Sequence, residues 1–205
     1  MHIVDGALAN EVVIGGAALA AGGIALGLRR LPLEKIPAAG VLSASFFVAS
    51  LIHVPIGPSS VHLIMNGLAG LILGWAAFPA LFVGLLLQAV FFGFGGLTVL
   101  GVNTVNIALP AVIVYYVCRR GVTRGTPLVA AIWAGFGGAL AIALTTALVG
   151  LSLMLSGDAF IPAAKLVFFA HIPVMVIEGL LSAAAIYLAA QVKPDLFDAM
   201  KGAPS

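Results

Sequence analysis

Val12-Val-Ile-Gly-Gly-Ala-Ala-Leu-Ala-Ala-Gly-Gly-Ile-Ala-Leu-Gly-Leu28 carries no charge and stops at Arg29-Arg30. An apolar stretch of this length closed by basic residues reads as a helix crossing a bilayer. The pattern recurs along the chain. Cutting at charges, prolines and polar clusters gives further spans at about Ile36–Val54, Val61–Trp75, Phe78–Leu97, Val105–Cys118, Thr126 to just before Asp158, and Ala163–Val192. The 205 residues are 62% hydrophobic and 8% charged, with a mean hydropathy of +1.23. No soluble domain hides that much apolar surface. The expected fold is therefore all-α, a polytopic membrane bundle of seven transmembrane helices forming a single domain over residues 1–205. Within it, residues 1–10 precede the bundle, 11–192 form it and 193–205 are a tail.

Seven spans place the two ends on opposite sides, and basic residues favour the cytoplasmic side. With the C-terminus cytoplasmic, Arg29, Arg30, Lys35, Arg119, Arg120, Arg124, Lys193 and Lys201 all lie inside and only Lys165 outside. The N-terminus is then external, with the Pro55–Ser60 and Gly101–Asn103 loops. Gly23/Gly27 and Gly70/Gly74 repeat at four-residue spacing. Such small residues let helices pack closely in lipid, and internal packing is favoured over a docking face. Cys118, the single cysteine, sits at an expected helix end and excludes an internal disulfide or a Cys-based zinc site. No basic-aromatic interleaving suggests a nucleic-acid partner.

Ahead of the first span lies Met1-His2-Ile3-Val4-Asp5-Gly6. No positive run precedes the apolar segment and no small-residue cleavage site follows, so a signal peptide is not expected. The Met1 amine, the His2 amide and the His2 imidazole place three nitrogens around the chain start. Fused chelate rings through them fill three corners of a square, which suits late first-row divalent ions. The other histidines are His53, His62 and His171, and in this topology all lie in the outer half. His62 follows Ser59-Ser60, where a helix beginning there gains a capping hydroxyl; it is either an interfacial histidine bonded to a loop carbonyl, which the residues alone favour, or the source of a fourth nitrogen. Glu178 shares a helix face with His171, seven residues earlier, and is read as a structural anchor below the outer cluster. Gln88, Asn103 and Asn106 border a glycine-rich run containing Gly93, Gly95 and Gly96. They are candidates to hydrogen-bond the first residues and hold them over the pocket.

Together these stretches resemble the CbiM/NikM family, substrate-binding membrane subunits of energy-coupling-factor cobalt and nickel importers. The similarity covers essentially the whole chain. It is carried by Met1–Gly6, Val54-Pro-Ile-Gly-Pro-Ser-Ser-Val-His62, Leu87-Gln-Ala89, Gly95-Gly-Leu-Thr-Val-Leu-Gly-Val-Asn103 and His171-Ile-Pro-Val-Met-Val-Ile-Glu-Gly179. The resemblance implies an N-terminal segment inserted into a seven-helix bundle. It implies a metal held by the Met1 amine, the His2 amide and imidazole, and the His62 imidazole. Asp5, Ser60, Gln88, Asn103, Asn106 and His171 are the supporting candidates around them. Two departures stand out: Phe94 occupies a position where many relatives carry His, and the metal loop is one residue shorter than in many cobalt-type relatives.

The implied role is capture of external Co2+ for uptake, with Ni2+ the alternative; cobalt is favoured because no accessory domain is fused to the chain. The chain carries no Walker motif, so ATP hydrolysis falls to partners. Those partners are a CbiQ-like transmembrane coupling subunit, two CbiO-like ATPases and a small CbiN-like accessory membrane subunit. No resident cofactor is implied, and the location is the bacterial or archaeal cell membrane. An intramembrane hydrolase using Ser59 or Ser60 is a distant alternative, since Gly-x-Ser-x-Gly and His-Glu-x-x-His are both absent. A vitamin-binding subunit of the same transporter class is the third reading, and it needs no free chain start.

Overall fold

The computed structural model describes residues 2–51, 54–56 and 59–192, with the backbone alone for 54–56 and 59–61. The 193–205 tail, Met1 and His53 lie outside the described residues. Helices dominate: α1 (Asn10–Arg29), α2 (Ile36–Ala49), α3 (Asn66–Leu73), α4 (Ala77–Phe92), α5 (Leu100–Arg124), α6 (Pro127–Met154), α7 (Ile161–Ala170) and α8 (Ile172–Val192). One antiparallel hairpin interrupts them, β1 (Val54–Ile56) against β2 (Ser59–Val61), with Val54 opposite Val61.

Among the described residues, five stretches are long and apolar enough to cross a bilayer: 10–29, 66–92, 100–124, 127–154 and 158–192. That differs from the seven expected. At 14 residues, α2 is too short to qualify, and 66–92 is two helices. Gly74, at φ 59°, breaks the chain between α3 and α4. The two run in opposite directions along the bundle. Asn66 lies at the level of Ile107 and Gly70 at the level of Ala111, whereas the start of α4 lies beside Gly23 and Gly27 of α1. The far end of α4 reaches the N-terminal segment, where Gln88 meets His2.

Several expected boundaries move. The third span begins at Asn66 rather than Val61. The β-branched Val54, Ile56 and Val61 favour pairing as strands, so Ser59 and Ser60 lie in β2 and no side chain caps α3. Met65 enters the helix in the left-handed region, at φ 56°. The fourth span stops at Phe92, not Leu97, because Gly93, Gly95 and Gly96 all take positive φ. The fifth begins at Leu100, so Gly101–Asn103 is helix rather than loop, and it continues past Arg119-Arg120 to Arg124. Cys118 is consequently buried inside α5, not at its end. The last span breaks at His171, because Pro173 has no N–H to donate back into the preceding turn.

Several hydroxyls inside the bundle bond back to their own helices. Thr104, Thr123, Thr146, Ser152 and Ser156 each donate to the carbonyl four residues earlier. Asn66 donates to the Ile107 carbonyl and to Thr145 Oγ1, both at 2.9 Å, beside the helix-interior Pro110. Large apolar side chains such as Ile14, Leu19, Phe136, Val176 and Leu180 face outward, as lipid contact requires. The small residues serve internal packing. A Cβ at Gly70 would collide with the backbone of Ala111, whereas one at Gly22 meets nothing within 4 Å. Gly70→Ala therefore forces the α3–α5 contact apart, at about 1–3 kcal/mol. It is expected to lower the melting temperature of the detergent-solubilised chain, with Gly22→Ala matching the parent; equal melting would contradict this packing.

Candidate metal centre

The N-terminal segment lies inside the bundle, with Ile3 fully buried and His2 3% exposed. Hydrogen bonds hold it in place. Asn103 of α5 clasps Ile3 from both sides: its Oδ1 accepts from the Ile3 N–H at 2.9 Å and its Nδ2 donates to the Ile3 carbonyl at 3.0 Å. The Asp5 N–H donates to the Gly95 carbonyl at 3.0 Å. Asp5 Oδ1 in turn accepts from the Thr98 hydroxyl and from the amides of Thr98 and Val99. The glycine run makes this approach possible. A Cβ at Gly96 would strike the Asp5 carboxylate, and one at Gly95 would press on Asn103 and His2. Neither glycine cradles a phosphate.

The His2 ring lies between Gln88 of α4 and His62. Gln88 Nε2 donates to the Phe46 carbonyl at 3.4 Å, which turns Oε1 toward His2 Nε2. An amide oxygen only accepts, so His2 Nε2 carries the proton. Similarly His62 Nδ1 donates to the Leu63 carbonyl at 2.7 Å. The remaining nitrogens, His2 Nδ1 and His62 Nε2, face each other at 3.0 Å, with ring centroids 4.7 Å apart. Burial holds the His62 imidazole down to about 4, partly offset by its bond to Leu63, so the ring is neutral near pH 7. Phe94 sets its ring edge-on to His2, 6.2 Å between centroids.

His62 occupies an extended segment between β2 and α3, and Glu178 of α8 fixes that segment. Its Oε1 accepts from the amides of Ile64 and, at 2.8 Å, Met65. Glu178 is thus an anchor, as the sequence suggested, but it holds the amides two and three residues after His62 rather than lying below the outer cluster.

His2, His62, Gln88, Asn103 and Asp5 thus converge. Asn106 does not: its Oδ1 accepts from Ser152 at 3.3 Å and it makes no bond to the chain start. His171 is fully buried with Nδ1 on the Val167 carbonyl at 2.6 Å. Met1 and the Ser60 side chain lie outside the described residues. Sequence reasoning missed Thr98, which was legible as the polar member of Gly-Gly-Leu-Thr. It offered a loop carbonyl as the partner of His62, and that carbonyl belongs to Leu63. Among the described residues no three His, Cys, Asp or Glu side chains cluster. The two imidazoles that approach each other here are those of His2 and His62.

Helices long enough to span a bilayer define a multi-pass membrane protein, and they enclose a buried pair of imidazoles. The profile of the CbiM family, described as the cobalt uptake substrate-specific transmembrane region, matches residues 2–196, and the chain belongs to that family. It is 42% identical to a putative metal transport protein of Haemophilus influenzae, over 97% of each chain. It is 32% identical to the cobalt transport protein CbiM of Geobacter sulfurreducens, spanning 98% of this chain and 62% of that one. It is 30% identical to a putative fused nickel transport protein NikMN of Archaeoglobus fulgidus, spanning 70% of that protein. A crystal structure of a transition metal transporter superposes with a TM-score of 0.72 at 25% identity, covering 94% of this chain and 93% of that one.

Asn103→Leu removes both bonds to Ile3 and leaves two buried backbone groups unpaired, at about 1–3 kcal/mol each. Amide hydrogen exchange at residues 2–6 is expected to accelerate by at least an order of magnitude. Asn106→Leu is expected to leave exchange there unchanged, and equal effects would mean that Asn103 does not hold the segment.

Proposed function

We propose that this chain is the substrate-capturing subunit of an energy-coupling-factor importer, taking Co2+ from the external side. The observation that carries this reading is the 3.0 Å approach of His2 Nδ1 to His62 Nε2, with the other nitrogen of each ring committed to a carbonyl or amide oxygen. Rings so oriented bring His2 Nδ1 and His62 Nε2 within reach of one cation. Taking a zinc–imidazole bond of about 2.0–2.1 Å as a guide, two nitrogens at a right angle on one ion lie about 2.9 Å apart. The spacing therefore suits adjacent corners of a square. Nδ1 is also the His2 nitrogen that closes a six-membered chelate ring with the His2 amide. The Met1 amine completes the donor set of Met1, His2 and His62, with Asp5, Gln88 and Asn103 holding the segment.

Nickel is the second reading, supported by relatives named both as cobalt and as nickel transport proteins. The donor set fits both ions. In this reading the bundle has seven spans, α3 and α4 counting separately and α2 completing the number. Energy comes from a CbiQ-like coupling subunit and two CbiO-like ATPases, with a CbiN-like accessory partner; fused NikMN relatives support the last of these.

Binding must displace a proton from the Met1 amine, whose reference pKa is about 7.7–8.0, and another from the His2 amide. Affinity is therefore expected to fall steeply as pH drops. Calorimetric titration with Co2+ or Ni2+ is expected to show tight binding by the native chain only. Insertion of Ala between Met1 and His2, N-terminal acetylation and His62→Ala are each expected to abolish it, while His53→Ala changes it little. Removing the outer-shell acceptor with Gln88→Ala is expected to cost about 10–100-fold. Tight binding by the acetylated chain would refute the site.

For the orientation, a Cys placed at Ser59 is expected to react with an impermeant thiol reagent added outside, and one at Ser205 to stay silent. The buried Cys118 does not interfere. The opposite labelling pattern would invert the proposed topology.

A further inference from the structure

The end of the bundle opposite the imidazoles holds a cavity of about 440 Å³, between the α1–α2 connection, the α3–α4 turn and the middle of α5. Arg29, Arg30 and Lys35 line it, together with Trp75, Tyr115 and Tyr116. Its side chains are ordered by one another. The Arg30 guanidinium lies 5.7 Å from the centre of the Trp75 ring and donates to the Tyr116 hydroxyl at 3.3 Å. Trp75 Nε1 donates to the same hydroxyl at 2.9 Å. Lys35 Nζ reaches the Ile72 carbonyl at 3.4 Å. Arg119 lies over the Tyr115 ring, 5.1 Å from its centre. Burial, and then the positive charge of Arg119, pull the Lys35 ammonium below its usual value. The cavity is therefore a place of positive potential.

Among the described residues, no carboxylate forms an ion pair with Arg29, Arg30 or Lys35. Basic residues at the end of a span also serve orientation, but orientation needs only charge near the interface. It does not need an Arg stacked on an indole, a Lys turned inward, or an apolar floor of Leu31 and Leu73 beneath them. Trp and Tyr mark the headgroup level of a bilayer, so the charges stand where lipid phosphates lie. Basic pockets between membrane helices take anionic headgroups. We propose that this cavity binds the phosphate headgroup of an anionic membrane lipid, with Arg29, Arg30 and Lys35 facing the phosphate and Leu31 and Leu73 facing the first methylenes.

The full-length chain carrying Trp133→Phe leaves Trp75 as the sole tryptophan and the cavity intact. Its fluorescence is followed in detergent micelles as brominated-chain phosphatidylglycerol or brominated-chain phosphatidylcholine is added. Saturable quenching by phosphatidylglycerol is expected at a concentration at least tenfold below that for phosphatidylcholine. Arg30→Gln with Lys35→Gln is expected to erase the preference, whereas Arg124→Gln, outside the cavity, keeps it. Equal quenching by the two lipids, or an unchanged preference in the double variant, would overturn the proposal. Should the double variant fail to fold, the comparison of the two lipids on the parent chain decides alone. Inorganic phosphate that displaces phosphatidylglycerol at equal concentration would assign the cavity to a free anion and overturn the lipid. A phosphatidylglycerol preference that is absent in the full chain and appears only on removing residues 193–205, with Asp195 and Asp198, would point to the tail as the occupant and overturn it too.

Discussion

The clasp between Asn103 and the Ile3 backbone is the interaction on which the pairing of His2 with His62 depends. A hydrocarbon interior offers no water, so a strand that enters a bundle must find a partner for every backbone group it brings. Asn103 supplies one donor and one acceptor to the same residue, the pairing a neighbouring β-strand would give. Asp5 completes the entry by turning outward to the amides at the start of α5, where a carboxylate is favoured by the helix terminus. With residues 3 and 5 so fixed, the place of His2 follows. The positive-φ glycines at 93, 95 and 96 are the counterpart of this insertion, since side chains at 95 and 96 would fill the path it takes.

The spans were legible in the sequence because hydropathy and charge are local properties. Their ends were less so. The residues just ahead of Asn66 are held by Glu178, more than a hundred residues away, which takes the amides of Ile64 and Met65. Without that knowledge Ser59-Ser60 looked like the cap. Leu100 begins α5 because Asp5 occupies the amides just before it, and nothing within Gly95–Asn103 announces this. The break at His171 was written in Pro173 and was passed over because the surrounding residues are apolar without interruption.

The site was legible for a related reason. His2, His62, Gln88 and Asn103 are polar residues in an apolar chain, and such residues need partners. Which partner each takes was not legible. Asn103 and Asn106 lie three positions apart on α5, close enough to look equivalent in sequence. They diverge around the helix enough that Asn103 faces the chain start and Asn106 faces Ser152 of α6. Periodicity assigns a residue to a face, and only the packing of the neighbouring helix decides what that face meets.

Glu178 and Gln88 bear on selectivity under the proposed reading. Nitrogen donors hold Co2+ and Ni2+ at similar distances, so the donor set alone discriminates poorly between them. What separates such ions is how firmly a geometry is imposed. Here each imidazole is held at the nitrogen remote from the proposed metal, His2 by Gln88 and His62 by the Leu63 carbonyl. The peptide just after Leu63 is pinned to α8 through Glu178, and Gln88 is itself oriented by the Phe46 carbonyl of α2. The ring planes are thus set by α2, α4 and α8, not by the cation. A site built this way resists relaxing toward a tetrahedral arrangement, whichever of the two ions it holds.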